Sequence, residues 1–371
     1  MIGGSGASGS VPPTTEVGQA ARPAAGAGPA GTPTVSWLAA SVRRRPFGGT
    51  APDPSGATVQ VRYIGGFGRS GSTMLDLMLG QAPGVFSAGE VRELWQSGLV
   101  ENRLCGCEQP FRDCSFWQAV GDAGFGGWDR VPLPDILQLR YSLDRPWSFP
   151  ALPVSGMVGA LRARIQEYTG TLERLYRAIA KVSGASVIVD SSNLPSHAFL
   201  LRTMPAIDLR VIHLVRDSRA VAWSWRKRVE KRRSGGPSEY LPQYSSAGSS
   251  LRWTYYNGLT QSLRRLGVPY NLVRYEDLVC NPYQVTAGLL RYAGLTGDGA
   301  EPSYIQGHRV RLKPNHTVEG NPMRFVTGDL DLRADQVWQR QMPPRDRRVV
   351  TALTLPLLRA YGYPVTRASS S

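Results

Sequence analysis

Residues Val61 to Leu75, VRYIGGFGRSGSTML, constrain the fold more than any other stretch of the chain. An apolar run that includes β-branched and aromatic residues predicts a buried strand over Val59–Ile64. Glycines then set a tight turn, and small hydroxyl residues open a helix predicted over Thr73–Leu79. Such a strand–turn–helix unit aims several backbone N–H groups and the positive end of the helix at one point, which makes an anion cradle. The glycines let the backbone approach an anion closely, Arg69 can fork onto its oxygens, and Ser72 and Thr73 add hydroxyl donors. Gly68, Arg69, Ser70, Gly71, Ser72 and Thr73 are therefore expected to line a site for a phosphate-like group.

The spacing approaches the nucleotide-binding loop G-x-x-x-x-G-K-[ST] when Gly66, Gly71 and Thr73 are matched, but Ser72 stands where that loop has its phosphate-steering lysine. A second arginine site follows a second strand. The β-branched run of Leu209–Val215, LRVIHLV, predicts a buried strand that leads into RDSRAVAWSWRKR and a helix. Arg216 falls at the carboxyl end of that strand, where open α/β sheets place ligands. Ser224 lies eight residues on, and Arg228 one further helical turn along the same face.

Arg-Ser-Gly-Ser-Thr after a strand resembles the 5′-phosphosulfate loop of sulfotransferases that use 3′-phosphoadenosine-5′-phosphosulfate (PAPS). Arg216 with Ser224 resembles the 3′-phosphate motif of the same family, and its tyrosylprotein branch carries a further arginine where Arg228 stands. The resemblance spans about residues 59–365, densely at the motifs and thinly between them. It implies an α/β fold with a P-loop-like doubly wound parallel sheet flanked by helices. It also implies PAPS as sulfuryl donor, adenosine 3′,5′-bisphosphate as product, and direct in-line transfer to a hydroxyl with no metal.

Site roles follow from the resemblance. Glu90 lies at nearly the spacing of the catalytic glutamate of the tyrosylprotein branch and is the expected general base. Cytosolic sulfotransferases use a histidine, which makes His197 the reserve; His213, inside an apolar strand, reads as a core residue. Arg69 with the loop amides and hydroxyls is expected to stabilise the leaving group. Tyr275 is expected to contact the nucleotide by analogy with the tyrosylprotein branch. So are Asn321 and Arg324, because HTVEGNPMRF is similar to a segment that closes over the nucleotide in bacterial members. One position departs from the pattern: relatives commonly carry a lysine shortly after the strand that ends at Asp190, and this chain has Asn193.

The remaining sequence bounds the domain. Ala, Gly, Pro, Ser and Thr dominate the first 57 residues, which cannot offset their ordering entropy and are expected to form a disordered tail. Residues 58–366 form the expected sulfotransferase domain. Helical apolar spacing marks Val158–Ala180, and strands are expected at Ser186–Val189 and Tyr270–Tyr275. About residues 91–153 read as an irregular, acceptor-facing insertion carrying Trp95, Trp117, Trp128 and Trp147. The acceptor is expected to be a small molecule or glycan.

Partners and compartment follow from charge and patterning. The net charge is +15, with arginine supplying all but four of the 43 basic residues, a bias that also fits a GC-rich bacterial genome. Basic clusters at 43–45 and 226–233 are short and no nucleic-acid module is recognisable, so no nucleic-acid partner is expected. Neither a secretory signal nor a bilayer-spanning apolar run is recognisable, which gives the expectation of a cytoplasmic enzyme; a homo-oligomer is compatible with the sequence. Cys105, Cys107 and Cys114 do not match a four-cysteine zinc spacing, a reducing cytosol disfavours their pairing, and similar segments occur in bacterial sulfotransferases. The segment is read as a folded lid or substrate-side element, with no metal ligands expected. Two rival readings remain: a P-loop kinase acting on a small molecule, with Val187–Asp190 as its metal-binding strand end, and a non-catalytic nucleotide-binding relative.

Overall fold

In the computed structural model the described residues are 57–145, 159–231 and 239–365. The expected tail, apart from Ala57, lies outside them, as do Trp147 and residues 232–233 of the second basic cluster. Strand β1 (Val59–Gly65) leads through the glycine loop into helix α1 (Ser72–Leu79), and β2 (Val85–Gly89) follows. Then come α2 (Ser115–Phe125), α3 (Leu133–Leu143), α4 (Gly159–Ser183), β3 (Val187–Asn193), α5 (Pro195–Arg202), β4 (Ile207–Val215) and α6 (Ser218–Arg226). A small ribbon of β5 (Glu230–Lys231) and β6 (Glu239–Tyr240) precedes α7 (Ser246–Arg265), β7 (Tyr270–Arg274), α8 (Tyr275–Cys280) and α9 (Pro282–Ala293). Beyond these lie β8 (Ile305–Gln306), β9 (Arg309–Leu312), β10 (Gly328–Asp331), α10 (Val337–Gln341) and α11 (Pro344–Ala360).

The main sheet has the order β2-β3-β1-β4-β7, with every pairing parallel. Its strands are buried on both faces, which is why they read as continuous apolar runs. Alternate residues serve opposite cores. Val61, Tyr63, Ile188 and Val211 pack with α4, α5 and the 91–143 segment, whereas Ile64, Val189, Ile212 and Leu214 pack with α1, α9 and β8–β10. One arginine is threaded through this interior. Arg62 on β1 is fully buried but fully answered, with Nε donating to the Ala293 carbonyl at 2.7 Å and Nη1 to the Asp208 carbonyl at 2.9 Å and carboxylate at 3.1 Å. Nη2 donates to Gln60 Oε1.

Two expectations change here. The described part of the 91–153 segment is not irregular: it holds a π-helical turn over Leu94–Val100, packed on α3, and helices α2 and α3, packed on α4. Trp95 and Trp117 are fully buried core residues, and Trp128 stacks on Phe125 while donating its indole N–H to the Trp117 carbonyl at 2.8 Å. Tyr275 begins α8 instead of ending β7. No helix among the described residues is long and apolar enough to cross a membrane.

The chain leaves β1 for β2 and β3 on one side, then crosses to β4 and β7 on the other. That reversal sets a crevice at the carboxyl end of β1, where α/β sheets bind ligands. Gly65 there pairs with Asn193 on one side and His213 on the other.

Candidate active site

The glycine loop is held in a conformation that its residues alone permit. Gly66 has φ 140°, and a β-carbon there would lie 2.4 Å from the Leu214 carbonyl oxygen. Gly71 has φ 94° and faces the Tyr275 ring, which a β-carbon would approach to 2.7 Å. Ser70 donates its hydroxyl to the Phe67 carbonyl at 2.7 Å, closing the turn. Helix α1 then starts at Ser72 with no side chain capping its first turn and no acidic residue in it. Its free N–H groups and positive dipole end are left for an anion.

Arg69 sits in this loop with φ 72°, a left-handed conformation uncommon for arginine. Its guanidinium lies over the Trp225 ring at 4.9 Å, and its Nε and Nη2 are buried with no hydrogen-bond partner. Burial lowers its pKa from the ordinary value, because nothing nearby answers the charge. A half-buried cation with two buried, unused donors is costly, and it fits an anion docked in the cradle.

Arg216 closes the other side. It is buried at the end of β4, with Nη1 donating to the Arg69 carbonyl at 3.2 Å and Nη2 to Asp335 Oδ2 at 3.3 Å. Its guanidinium rests on the Tyr275 ring at 4.4 Å. The two arginine sites are thus adjacent, joined through that hydrogen bond and through Tyr275, which faces Gly71 of the loop and carries the Arg216 guanidinium. Ser224 lies half-buried on α6, one residue before Trp225, whose indole donates to the Gly68 carbonyl at 3.2 Å.

Asn193, left-handed at φ 59°, donates from Nδ2 to Ser72 Oγ at 3.0 Å and to the Ser191 carbonyl at 2.7 Å. The residue at the lysine position therefore touches the loop directly. Glu90 follows β2, and its N–H donates to the Val318 carbonyl at 2.9 Å. A β-carbon at Gly320 would lie 3.7 Å from Glu90 Oε1 and 3.5 Å from Thr73 Oγ1, which places this carboxylate beside the loop. Arg92, two residues on, is bound to Glu93 and Asp144. Asn321 donates its backbone N–H to Thr73 Oγ1 at 3.3 Å, bringing the C-terminal segment to the cradle.

Two expected ligands are elsewhere. Helix α6 ends at Arg226, and Lys227 turns to extended backbone, so Arg228 is off the helical face and lies exposed over the Tyr240 ring at 3.7 Å. Arg324 is buried, and its Nη1 and Nη2 donate to the Thr317 and Leu104 carbonyls, which makes it a clamp between two segments instead of a phosphate ligand. Residues not foreseen are Trp225 over Arg69, Gly320 beside Glu90, and Asp335 on Arg216. Trp225 and Gly320 both lay inside motifs singled out for other members.

His197 is fully buried, with Nδ1 2.9 Å from Asp144 Oδ2 and Nε2 3.4 Å from Asp190 Oδ2. Burial alone would strip its proton, but Asp144, then Asp190, override burial and hold its pKa at about 9. It is an internal cation and not an accessible base. His213 is also buried and satisfied, by Tyr270 and by Asn257 Oδ1 at 2.8 Å, and burial lowers its pKa to about 4. A pH effect follows for His197. The native ring keeps a proton that the unfolded ring releases near its ordinary pKa of about 6.5. Its stabilisation is therefore complete below about pH 6.5 and is lost as pH rises through about 9. Urea denaturation on either side of that window should show falling stability in the wild type and a flatter profile in His197→Gln; equal slopes would remove His197 as the cause.

Part of this chain is similar to carbohydrate sulfotransferases. It is 28% identical to human carbohydrate sulfotransferase 3 over 179 residues, 45% of this chain and 36% of that protein. The mouse protein of the same name is 27% identical over 178 residues. The match thus spans little more than a third of the curated relatives' length. Among solved structures, the sulfotransferase domain of the Synechococcus PCC 7002 olefin synthase aligns over 83% of this chain and 97% of that domain, at 20% identity and a TM-score of 0.43. The sulfotransferase domain from the curacin biosynthetic pathway aligns over 83% and 99%, at 16% identity and a TM-score of 0.42. No family model matches.

Proposed function

We infer that this chain is a PAPS-dependent sulfotransferase, which transfers a sulfuryl group from PAPS to a hydroxyl of a small-molecule or carbohydrate acceptor. The observation that carries the reading is Arg69, a half-buried guanidinium with two buried, unused donors in a glycine cradle, with Arg216 hydrogen-bonded to its carbonyl. A nucleotide with anionic groups at two positions answers both sites at once.

The residues present fit that nucleotide. The loop Gly68–Thr73 and the start of α1 would hold the 5′ end, and Arg216 with Ser224 and Tyr275 the 3′-phosphate. When bound, the donor supplies an activated sulfuryl group and a phosphate leaving group that gains charge during transfer. Arg69 and the loop N–H groups are fixed in place beforehand, which is what makes such donors effective on developing charge. Glu90 takes the proton of the acceptor hydroxyl at a carboxylate oxygen. Asn193 contributes a neutral donor where relatives have a cation.

The kinase reading loses its supports. Ser72 replaces the loop lysine, and Asp190 is spent in the interior, accepting from the Ser192 hydroxyl and amide and from Tyr176.

Calorimetry with adenosine 3′,5′-bisphosphate tests the proposal. One molecule should bind per chain, and Arg216→Ala should weaken it by about 1.5–3 kcal/mol, roughly 10- to 150-fold. Equal affinity for adenosine 5′-monophosphate, or turnover that requires magnesium, would overturn it. A screen of hydroxyl acceptors with labelled donor then identifies the acceptor class.

A further inference from the structure

Away from the anion cradle, the fold gathers three cysteines and a histidine from distant parts of the chain. Cys105 and Cys107 come from the loop before α2, Cys114 is the residue at its N-terminus, and His316 arrives 202 residues later. Their ligand atoms all lie within 4.8 Å of one another. Cys107 Sγ is 3.6 Å from Cys114 Sγ, and His316 Nδ1 is 3.3 Å from Cys114 Sγ and 3.7 Å from Cys105 Sγ.

Those three separations are close to the edge lengths of a metal tetrahedron. With Zn–S about 2.3 Å and Zn–N about 2.0–2.1 Å, tetrahedral geometry requires S···S of about 3.8 Å and S···N of about 3.6 Å. A disulfide would need sulfurs about 2.05 Å apart, far closer than these. We propose that Cys105, Cys107, Cys114 and His316 form a structural Cys₃His zinc site, which the spacing of the cysteines alone does not reveal.

The surroundings are arranged for it. Phe116 stacks flat on the His316 ring, with centroids 5.0 Å apart and planes at 15°, and Trp117 Nε1 donates to the His316 carbonyl at 2.9 Å. Arg324 clamps the carbonyls of Leu104 and Thr317, each adjacent in sequence to a ligand, and brings a cation to balance three thiolates. All four protein positions are filled, so the site is closed and structural instead of catalytic.

Its consequence lies next door. The strand-like stretch after His316 is bonded to the end of β2, with Val318 N–H donating to the Ala88 carbonyl at 3.0 Å and Glu90 N–H to the Val318 carbonyl. Gly320 and Asn321 then abut Glu90 and Thr73. The metal would fasten the wall beside the carboxylate to α2 and its core.

Elemental analysis of the full chain, purified under reducing conditions without chelator, should give one zinc per chain. Native alkylation should modify only the exposed Cys280, and all four cysteines should react after chelation in denaturant. Cobalt replacement should give the visible bands of a tetrahedral thiolate site. His316→Ala and Cys114→Ser should bind well under one equivalent, whereas Cys280→Ser retains the full amount. If those variants fail to fold, wild-type zinc content and thiol protection still decide the matter. Failure to take up zinc, iron in its place, or a Cys107–Cys114 disulfide by mass mapping would overturn the assignment. None of these readouts depends on sulfuryl transfer, so they stand or fall apart from that reading.

Discussion

Glu90→Gln should lower turnover by about 10²–10⁴-fold while leaving affinity for adenosine 3′,5′-bisphosphate within about twofold of wild type. The substitution keeps the shape and hydrogen-bonding ends of the side chain but removes the ability to accept a proton. It leaves the backbone link from Glu90 to Val318 intact, so the wall beside the loop should hold its place. Three further titratable side chains near β2 lie in ion pairs of their own. Glu93 is bound by Arg92 and Arg140, Asp144 by Arg92 and His197, and His197 is sealed in the interior with its proton. Single-turnover assays with labelled donor, set beside nucleotide calorimetry, separate chemistry from binding. Unchanged turnover in Glu90→Gln would reassign the base to a residue on the acceptor side.

What was legible in the sequence was whatever is local. The β1–loop–α1 unit announces itself because strand, turn and helix signals follow one another within fifteen residues, and its boundaries hold to within a residue. Arg216 was readable for the same reason, at the end of an unbroken apolar strand. The 91–143 segment misled because its helices break compositional rules for packing reasons. Helix α2 carries Gly121 and Gly124, where a β-carbon would lie 2.6 Å from the Trp128 ring and 3.0 Å from the Ala178 β-carbon. Glycine there permits close packing against aromatics and α4, yet in sequence it looks like a loop. Arg228 was lost to a helix end one turn early, which no residue before Lys227 signals. Arg324 and His316 have roles defined by carbonyls and sulfurs some 200 residues away, and spacing along the chain carries no trace of such partners.

Arg69 and Arg62 should respond oppositely to the same substitution, and the contrast separates a functional, half-buried arginine from a structural, fully buried one. Arg62 is satisfied by Ala293, Asp208 and Gln60, so Arg62→Met would leave buried acceptors unanswered. That change should cost about 2–4 kcal/mol of stability. Arg69 has no hydrogen-bond partner at Nε or Nη2. Arg69→Met gives up a cation–π contact with Trp225 of about 0.5–1 kcal/mol but also relieves a poorly solvated charge, and the two effects oppose each other. Its ligand-free melting temperature should therefore stay within about 2 °C of wild type. The loss should appear only with nucleotide: the thermal shift given by adenosine 3′,5′-bisphosphate should shrink, and turnover should fall by about 10²–10³-fold as the leaving group loses its charged donor. Thermal melts of both variants with and without the nucleotide make the comparison. If Arg69→Met melts as early as Arg62→Met, or keeps the full nucleotide shift, the guanidinium is part of the scaffold and the anion is held by the loop amides alone.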